Sequence, residues 1–134
     1  MIKLLAKTNQ EALTMSYNGL MRQGVKSEIK GDCIDICVYH LGKGVACGVG
    51  HLMKPKDRKK LNGGVFGGQG IVNLVSSNLV DRGNISKEFL AELQDAHDSI
   101  DTDTKPEEFY IQVTHKYKDL AKLFGLELTE YKHD

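Results

Sequence analysis

One short segment carries the residue types that metal sites use. Cys33, Cys37, Cys47 and His51 follow the spacing C-x3-C-x9-C-x3-H, two close pairs separated by a turn. Thiolate and imidazole groups in such a grouping are ligands of tetrahedral zinc. The C-x2-C knuckle of most zinc ribbons is missing, however, and cysteine is among the residues most often buried. We expect core cysteines and no cofactor. The alternative is a zinc site that draws on Cys37, Cys47, His51 and His97.

The same segment also offers a nucleophile. Cys37 or Cys47 would need His97 as a base, with Asp95 or Asp98 to orient the imidazole. Adjacent side chains on a helix point about 100° apart, so we expect Asp98 to be a poor orienter of His97. A histidine on an apolar helix face is more often a hydrogen-bonded core group. Because no catalytic motif is complete, we assign no catalytic residue and favour a protein that is not an enzyme.

Positive charge and glycine follow this segment. Five cationic side chains fall within residues 54–60, and five glycines fall within residues 62–70. Glycine-rich turns form anion-binding nests from backbone amides, and lysines add long-range attraction. The terminal Gly-Lys-Ser/Thr of a P-loop is absent, so we expect a mobile loop rather than a phosphate cradle of that type. The predicted binding residues are Lys54, Lys56, Arg58, Lys59, Lys60, Gly63, Gly64, Gly67, Gly68 and Gly70.

The elements that must position these residues follow from periodicity. Apolar residues alternate with others over residues 33–39 and 45–49, which predicts a β-hairpin around Gly42 and Gly44. A hairpin alone is marginal in water and must pack on helices.

Cap residues and apolar stripes predict those helices. One begins at Thr8 and ends at Gly24, a short one follows Ile71, and a third begins at Ser86 and carries Phe89, Leu93 and His97 on one face. The last helix has a capping box at Thr104 and Glu107 and ends at Gly125. The predicted class is therefore α+β, with about four helices on a short antiparallel hairpin. Residues 126–134 either fray or add one edge strand.

Composition limits the class of function. The 134 residues fit one domain, residues 1–134, and 18 basic against 18 acidic residues give a net charge of zero. A neutral chain gives no support for general nucleic-acid binding. No apolar run is long enough to cross a membrane, and the first residues lack the apolar core of a signal peptide. We expect a cytoplasmic protein.

Several motifs resemble a family of small uncharacterised proteins of tailed bacteriophages and prophages. The family pattern is a helix ending in Gln-Gly, a C-x-Y, a G-x-x-C-x-x-G-x-L and an L-Q-x-x-H-D before a last helix. It matches Gln23-Gly24, Cys37 to Tyr39, Gly44 to Leu52, and Leu93 to Asp98, in that order. Where typical members are acidic after the second cysteine motif, this chain has the basic Lys54 to Lys60.

The resemblance implies a phage accessory protein. Together with neutral charge and the lack of a catalytic motif, it leads us to expect a protein that binds and modulates a host component, for example one that antagonises host defence. One alternative is a metal- or thiol-dependent enzyme using Cys37, Cys47, His51 and His97. The other is a protein that sequesters a nucleotide or other small anionic ligand on residues 54–70. The sequence does not indicate an oligomeric state.

Overall fold

The computed structural model of the chain describes residues 1–24, 28–30, 35–37, 47–57, 71–100 and 105–132, with backbone only at 28–30 and 35–37. Helix α1 spans Asn9–Gln23, α2 spans Ile71–Ser76, α3 spans Lys87–Asp98 and α4 spans Pro106–Phe124. The strands are β1 (Ile2–Lys3), β2 (Glu28–Lys30), β3 (Asp35–Cys37) and β4 (Val80–Asp81), and a 3-10 turn covers Gly50–Leu52.

The predicted α+β class was wrong, because the described part of the chain is predominantly helical. Its strands are only two or three residues long and form two separate pairs. β1 pairs with β4 in parallel, and the antiparallel partner of β3 is β2, with Cys37 opposite Glu28. The expected second strand at 45–49 does not form where it is described, since Cys47 leads into a turn at Gly48 and Val49 and then into the 3-10 turn.

The helix boundaries agree better with the sequence, because caps are local signals. The Thr8 side chain accepts a hydrogen bond from Glu11 N, and Gly24 ends α1 in the left-handed conformation with φ 71°. Ser86 caps α3 by accepting from Phe89 N. Gly125 ends α4 at φ 66°, and Lys105 is the N-cap of α4 and makes no side-chain cap bond. Thr104, half of the predicted capping box, lies outside the described residues.

The N-terminal residues connect β4 with the 3-10 turn. β1 pairs with β4, and Leu5 N donates to Leu52 O at 2.7 Å. Leu4 is 1 % exposed and Ala6 is fully buried. This segment therefore links the hydrophobic core to the turn that contains Leu52.

The C-terminal residues 126–132 form no regular element, yet they are attached to α1 and α4. Gln10 of α1 pairs with the Glu127 peptide in both directions: its Nε2 donates to Glu127 O at 2.8 Å and its Oε1 accepts from Glu127 N at 2.9 Å. Tyr131 N donates to the Tyr17 hydroxyl at 3.1 Å, and Lys118 forms an ion pair with Glu130. We call residues 126–132 the C-terminal tail.

Buried apolar side chains from all four helices and from the N-terminal segment form one cluster. The helix α1 contacts α4 and the 3-10 turn, while α3 contacts α2 and α4. No helix in the described ranges is both long enough and apolar enough to cross a membrane.

Candidate functional site

Two of the residues predicted to do chemistry, Cys47 and His97, lie inside the protein. Residues 47–53, which we call the central segment, are buried except for His51, which is partly exposed. Val49 and Leu52 are fully buried, and Met53 is 2 % exposed. The turn and the 3-10 turn thus fill the space between α1, α3 and α4, where we had expected the second strand of a hairpin.

Cys47 is a hydrogen-bonded core residue in this arrangement. Its Sγ donates to Gln94 Oε1 of α3 at 3.3 Å and accepts from Gly50 N at 3.3 Å. Burial raises the pKa of the Cys47 thiol from 9.0 to about 12; the hydrogen bond from Gly50 N opposes this rise, and the negative charge of Asp98 adds to it by a smaller amount. The thiol is therefore protonated at neutral pH, whereas a nucleophilic cysteine needs a thiolate.

His97 and Asp98 contact each other directly, contrary to our expectation. His97 Nδ1 donates to Asp98 Oδ1 at 3.0 Å, and the imidazole is fully buried. The same Oδ1 accepts from Gln94 Nε2 at 3.0 Å. The angle of about 100° between neighbouring helix positions applies to the Cα–Cβ bonds. Rotation of the side-chain torsions in the last helical turn can still bring the Asp98 carboxylate to the His97 ring.

Gln94 separates the proposed nucleophile from the proposed base. Its Oε1 accepts from Cys47 and its Nε2 donates to Asp98, which in turn accepts from His97. The result is a chain of hydrogen bonds that runs from a buried thiol to a buried imidazole. Asp95, the other proposed orienter, is exposed and lies on a different face of α3.

His51 belongs to the side of the central segment that faces α1. Its Nε2 donates to Gln23 Oε1 at 2.5 Å, and its ring lies so close to Gly19 that a Cβ there would come within 2.4 Å of His51 Cγ. Gly19 is buried in the interior of α1. Only a residue without a side chain permits this approach of helix and imidazole.

The proposed zinc ligands are divided among these contacts. Among the residues that the structure describes, no three His, Cys, Asp or Glu side chains are placed to hold a metal ion. Cys33 and the side chain of Cys37 lie outside the described residues. The set of Cys37, Cys47, His51 and His97 therefore stays a prediction.

Gly48 is part of a buried polar contact that the sequence analysis missed. Ser16 Oγ of α1 donates to Gly48 O at 2.7 Å, and the Tyr117 hydroxyl of α4 lies 2.6 Å from the same Oγ. Since a serine hydroxyl has one proton, Tyr117 is the donor in the second bond. Burial raises the pKa of Tyr117, against the lowering effect of the bond to Ser16. A Cβ at Gly48 would lie 2.9 Å from Leu93 O.

The sequence held one signal of this contact. Ser16 lies on the apolar face of α1 between Leu13 and Leu20, and it is fully buried. A buried hydroxyl needs a partner, and that requirement points to another element. It does not say which one.

The predicted anion-binding surface is only partly described. Lys54 and Lys56 are exposed, and residues 55–57 are helical. The remaining members of the set lie outside the described residues: Arg58, Lys59, Lys60, Gly63, Gly64, Gly67, Gly68 and Gly70. Binding of an anionic ligand there stays a prediction.

A different surface feature lies between α3 and α4. An open groove of about 270 Å³ has Ala96, Leu120 and Leu123 as its apolar residues. Charged side chains border it, and we call it the acidic groove. The charged residues are Glu92, Asp95, Lys116 and Asp119.

Two further cavities adjoin the C-terminal tail. One, of about 420 Å³, lies between α1 and residues 127–132, and the other, of about 400 Å³, lies between Met21, Ile111 and Tyr131. The tail itself forms part of both walls. Comparisons with protein-family models, curated proteins and solved structures find no match.

Proposed function

We propose that this chain is a small accessory protein of a tailed bacteriophage or prophage that acts in the host cytoplasm by binding a host protein and modulating it. The observation that carries the proposal is the internal use of the reactive groups. Cys47 and His97 are fully buried, and the Cys47 thiol, with its pKa raised to about 12, donates to Gln94. These groups stabilise the fold, so we assign the function of the protein to its surface.

The surface of α4 supports a binding function. Ile111 is 69 % exposed and Leu123 is 71 % exposed, and each borders a groove shared with another part of the chain. Single exposed apolar residues are common on proteins. Their position in grooves, where a second chain can bury them on both sides, is what favours binding.

Affinity purification of the tagged protein from bacterial lysate tests the proposal. We expect one host protein to co-purify at close to one copy per chain, measured by quantitative mass spectrometry. The control is the same tagged protein after thermal unfolding, because an unfolded chain recovers chaperones. Recovery of no stoichiometric partner by the folded protein, across exponential and stationary cultures, contradicts the proposal.

A further inference from the structure

We infer that the acidic groove binds a basic amphipathic helix of the partner protein. This inference rests on the proposed function and adds the surface and the chemistry of the partner. It draws on three properties of the groove: the charge of its border, the exposure of its apolar residues and its direction along the helices.

The net negative charge of the groove border favours a partner surface with positive charge. Glu92, Asp95 and Asp119 carry three negative charges and Lys116 one positive charge, so the border has a net charge of −2 at neutral pH. Neither Glu92 nor Asp95 forms an ion pair within the described part of the chain. Asp119 lies 3.6 Å from the exposed His115. Carboxylates placed around an apolar patch favour lysine or arginine on the partner and speed its association.

The apolar residues provide the contact that charge alone lacks. Leu120 is 5 % exposed and forms the floor, while Leu123 is 71 % exposed at the end of the groove. Ala96 of α3 is small and partly exposed, so it leaves room for a partner side chain. A leucine-sized side chain that covers Leu123 and Leu120 would be removed from water on both sides, which is the usual anchor of helix-in-groove recognition.

The direction of the groove favours a helix as the occupant. Glu92 and Asp95 of α3 and Ser99, its C-cap, are spaced by three and four residues, so they lie on one side over about 10 Å. Side chains of a packed partner helix repeat at the same spacing. One helix can therefore place an apolar residue between α3 and α4 while its flanking lysines or arginines reach Glu92 and Asp95.

Synthetic peptides test the inference without knowledge of the host protein. The probe is a fluorescein-labelled helix of about 18 residues with leucines at helical spacing and lysines on both flanks, and its twin has glutamates in place of the lysines. We expect fluorescence anisotropy to show saturable binding of the lysine peptide at micromolar concentration. The glutamate peptide should bind at least about tenfold more weakly, since reversing the partner's charge replaces attraction with repulsion.

Variants of the groove locate the binding. Leu123→Ala and the double variant Glu92→Lys, Asp95→Lys should each weaken lysine-peptide binding at least about tenfold. Leu5→Ala is the matched control, because it is the same substitution at another exposed leucine, 43 % against 71 % for Leu123, and Leu5 lies outside the groove. It should leave the affinity unchanged. Far-UV circular dichroism checks that every variant remains folded.

Each other result overturns the inference. The inference is wrong if the lysine and glutamate peptides bind equally, or if neither binds at millimolar concentration. It is also wrong if the groove variants bind the lysine peptide as tightly as the parent does. Sedimentation of the protein alone tests whether a second copy of the chain occupies the groove. Dimers that form with increasing concentration and that Leu123→Lys abolishes would assign the groove to this second copy. If a host partner is recovered equally by the parent and by the Leu123→Lys variant, the proposed function stands and the groove assignment fails.

Discussion

Gly19 and His51 show how a single missing side chain shapes the centre of this protein. Alanine is normally favoured over glycine inside a helix by about 1 kcal/mol, but at Gly19 a Cβ would come within 2.4 Å of His51 Cγ. The imidazole would have to move away and lose its bond to Gln23. We expect Gly19→Ala to lower the free energy of unfolding by about 1–3 kcal/mol.

Without the His51 imidazole, the same substitution should raise the free energy of unfolding instead of lowering it. In the His51→Ala background the clash is gone, so Gly19→Ala should raise the free energy of unfolding by about 0.5–1 kcal/mol. Urea denaturation of the parent, both single variants and the double variant measures this as a double-mutant cycle. An equal effect of Gly19→Ala in both backgrounds would show that the approach of His51 does not require glycine at position 19.

The buried Cys47 thiol makes stability depend on pH above neutrality. Its pKa is raised from 9.0 to about 12 in the folded protein, so between those values the unfolded chain releases a proton that the folded chain keeps. The stabilisation is present below pH 9 and is lost as the pH rises towards 12, by about 1.4 kcal/mol per pH unit. The direction follows from the unfolded state binding fewer protons in that range.

Comparison with Cys47→Ala isolates this effect. The other titrating groups are shared, so the difference in unfolding free energy between parent and variant should shrink with increasing pH only above pH 9. Urea denaturation under reducing conditions at several pH values measures it. A difference that stays constant from pH 7 to beyond pH 9 would mean that the thiol is not buried as a neutral group.

At the level of single residues, the sequence predicted burial better than partners. The apolar spacing of Phe89, Leu93 and His97 predicted one buried face of α3, and all three are fully buried. The bond from His97 to Asp98 was not foreseen because helical geometry fixes the direction of Cβ, not the end of the side chain. The contact of Ser16 with Gly48 joins residues 32 positions apart, and no local pattern encodes it.

The C-terminal tail is an element without secondary structure, and a side chain replaces the missing backbone partner. Gln10 offers a donor and an acceptor to the Glu127 peptide, as a neighbouring strand would. The lysine–glutamate pair and the bond from Tyr131 to Tyr17 hold the rest of the tail. We expect Gln10→Ala to loosen the tail around Glu127, while the rest of the tail and the helices keep their contacts.

Hydrogen exchange measured by NMR tests the attachment of the tail. The amide of Glu127 should lose protection in Gln10→Ala, whereas the amide of Tyr131, which donates to Tyr17, and the amides in the middle of α4 should keep theirs. Gln10→Glu is the sharper variant: it keeps an acceptor for Glu127 N but turns a carboxylate oxygen towards Glu127 O, so it should lower the protection of Glu127 at least as strongly. Unchanged protection of Glu127 in both variants contradicts the pairing.

Elements were predictable where their signals are local and failed where they depend on the surroundings. Thr8, Gly24, Ser86 and Gly125 marked helix ends correctly, since each contacts backbone within its own helical end. The alternation at 45–49 misled because the central segment is enclosed by helices. A segment buried on all sides has no polar face, so apolar residues at every second position do not distinguish a strand from a turn.

At the scale of the whole molecule, the enclosed central segment makes the fold depend on contacts between distant parts of the chain. Residues 47–53 contact α1 through Gly19 and Ser16, α3 through Gln94, and the N-terminal segment through the bond from Leu5 N to Leu52 O. Such a core should unfold as one unit. The sequence predicted one domain but not this dependence, because it follows from which elements meet.

Leu4 and Leu5 allow a test of that cooperativity with adjacent residues of the same type. Leu4 is 1 % exposed and Leu5 is 43 % exposed, while both belong to the segment that follows β1. Leu4→Ala should lower the free energy of unfolding by about 2–5 kcal/mol through lost burial and the cavity left behind. Leu5→Ala keeps the backbone bond to Leu52 and should change it by less than about 1 kcal/mol.

Native-state hydrogen exchange shows how far the effect of Leu4→Ala extends. If the core is one cooperative unit, the amides of Val113 and Tyr117 in α4 exchange through global unfolding, and their protection should fall by the full loss of stability measured in urea. The protection of the β1 and β4 amides should decrease by no more than this loss of stability. If Leu4→Ala exposed only β1 and β4 while Val113 and Tyr117 kept their protection, the N-terminal segment would be a separate unit. The central segment would then be stabilised by the helices alone.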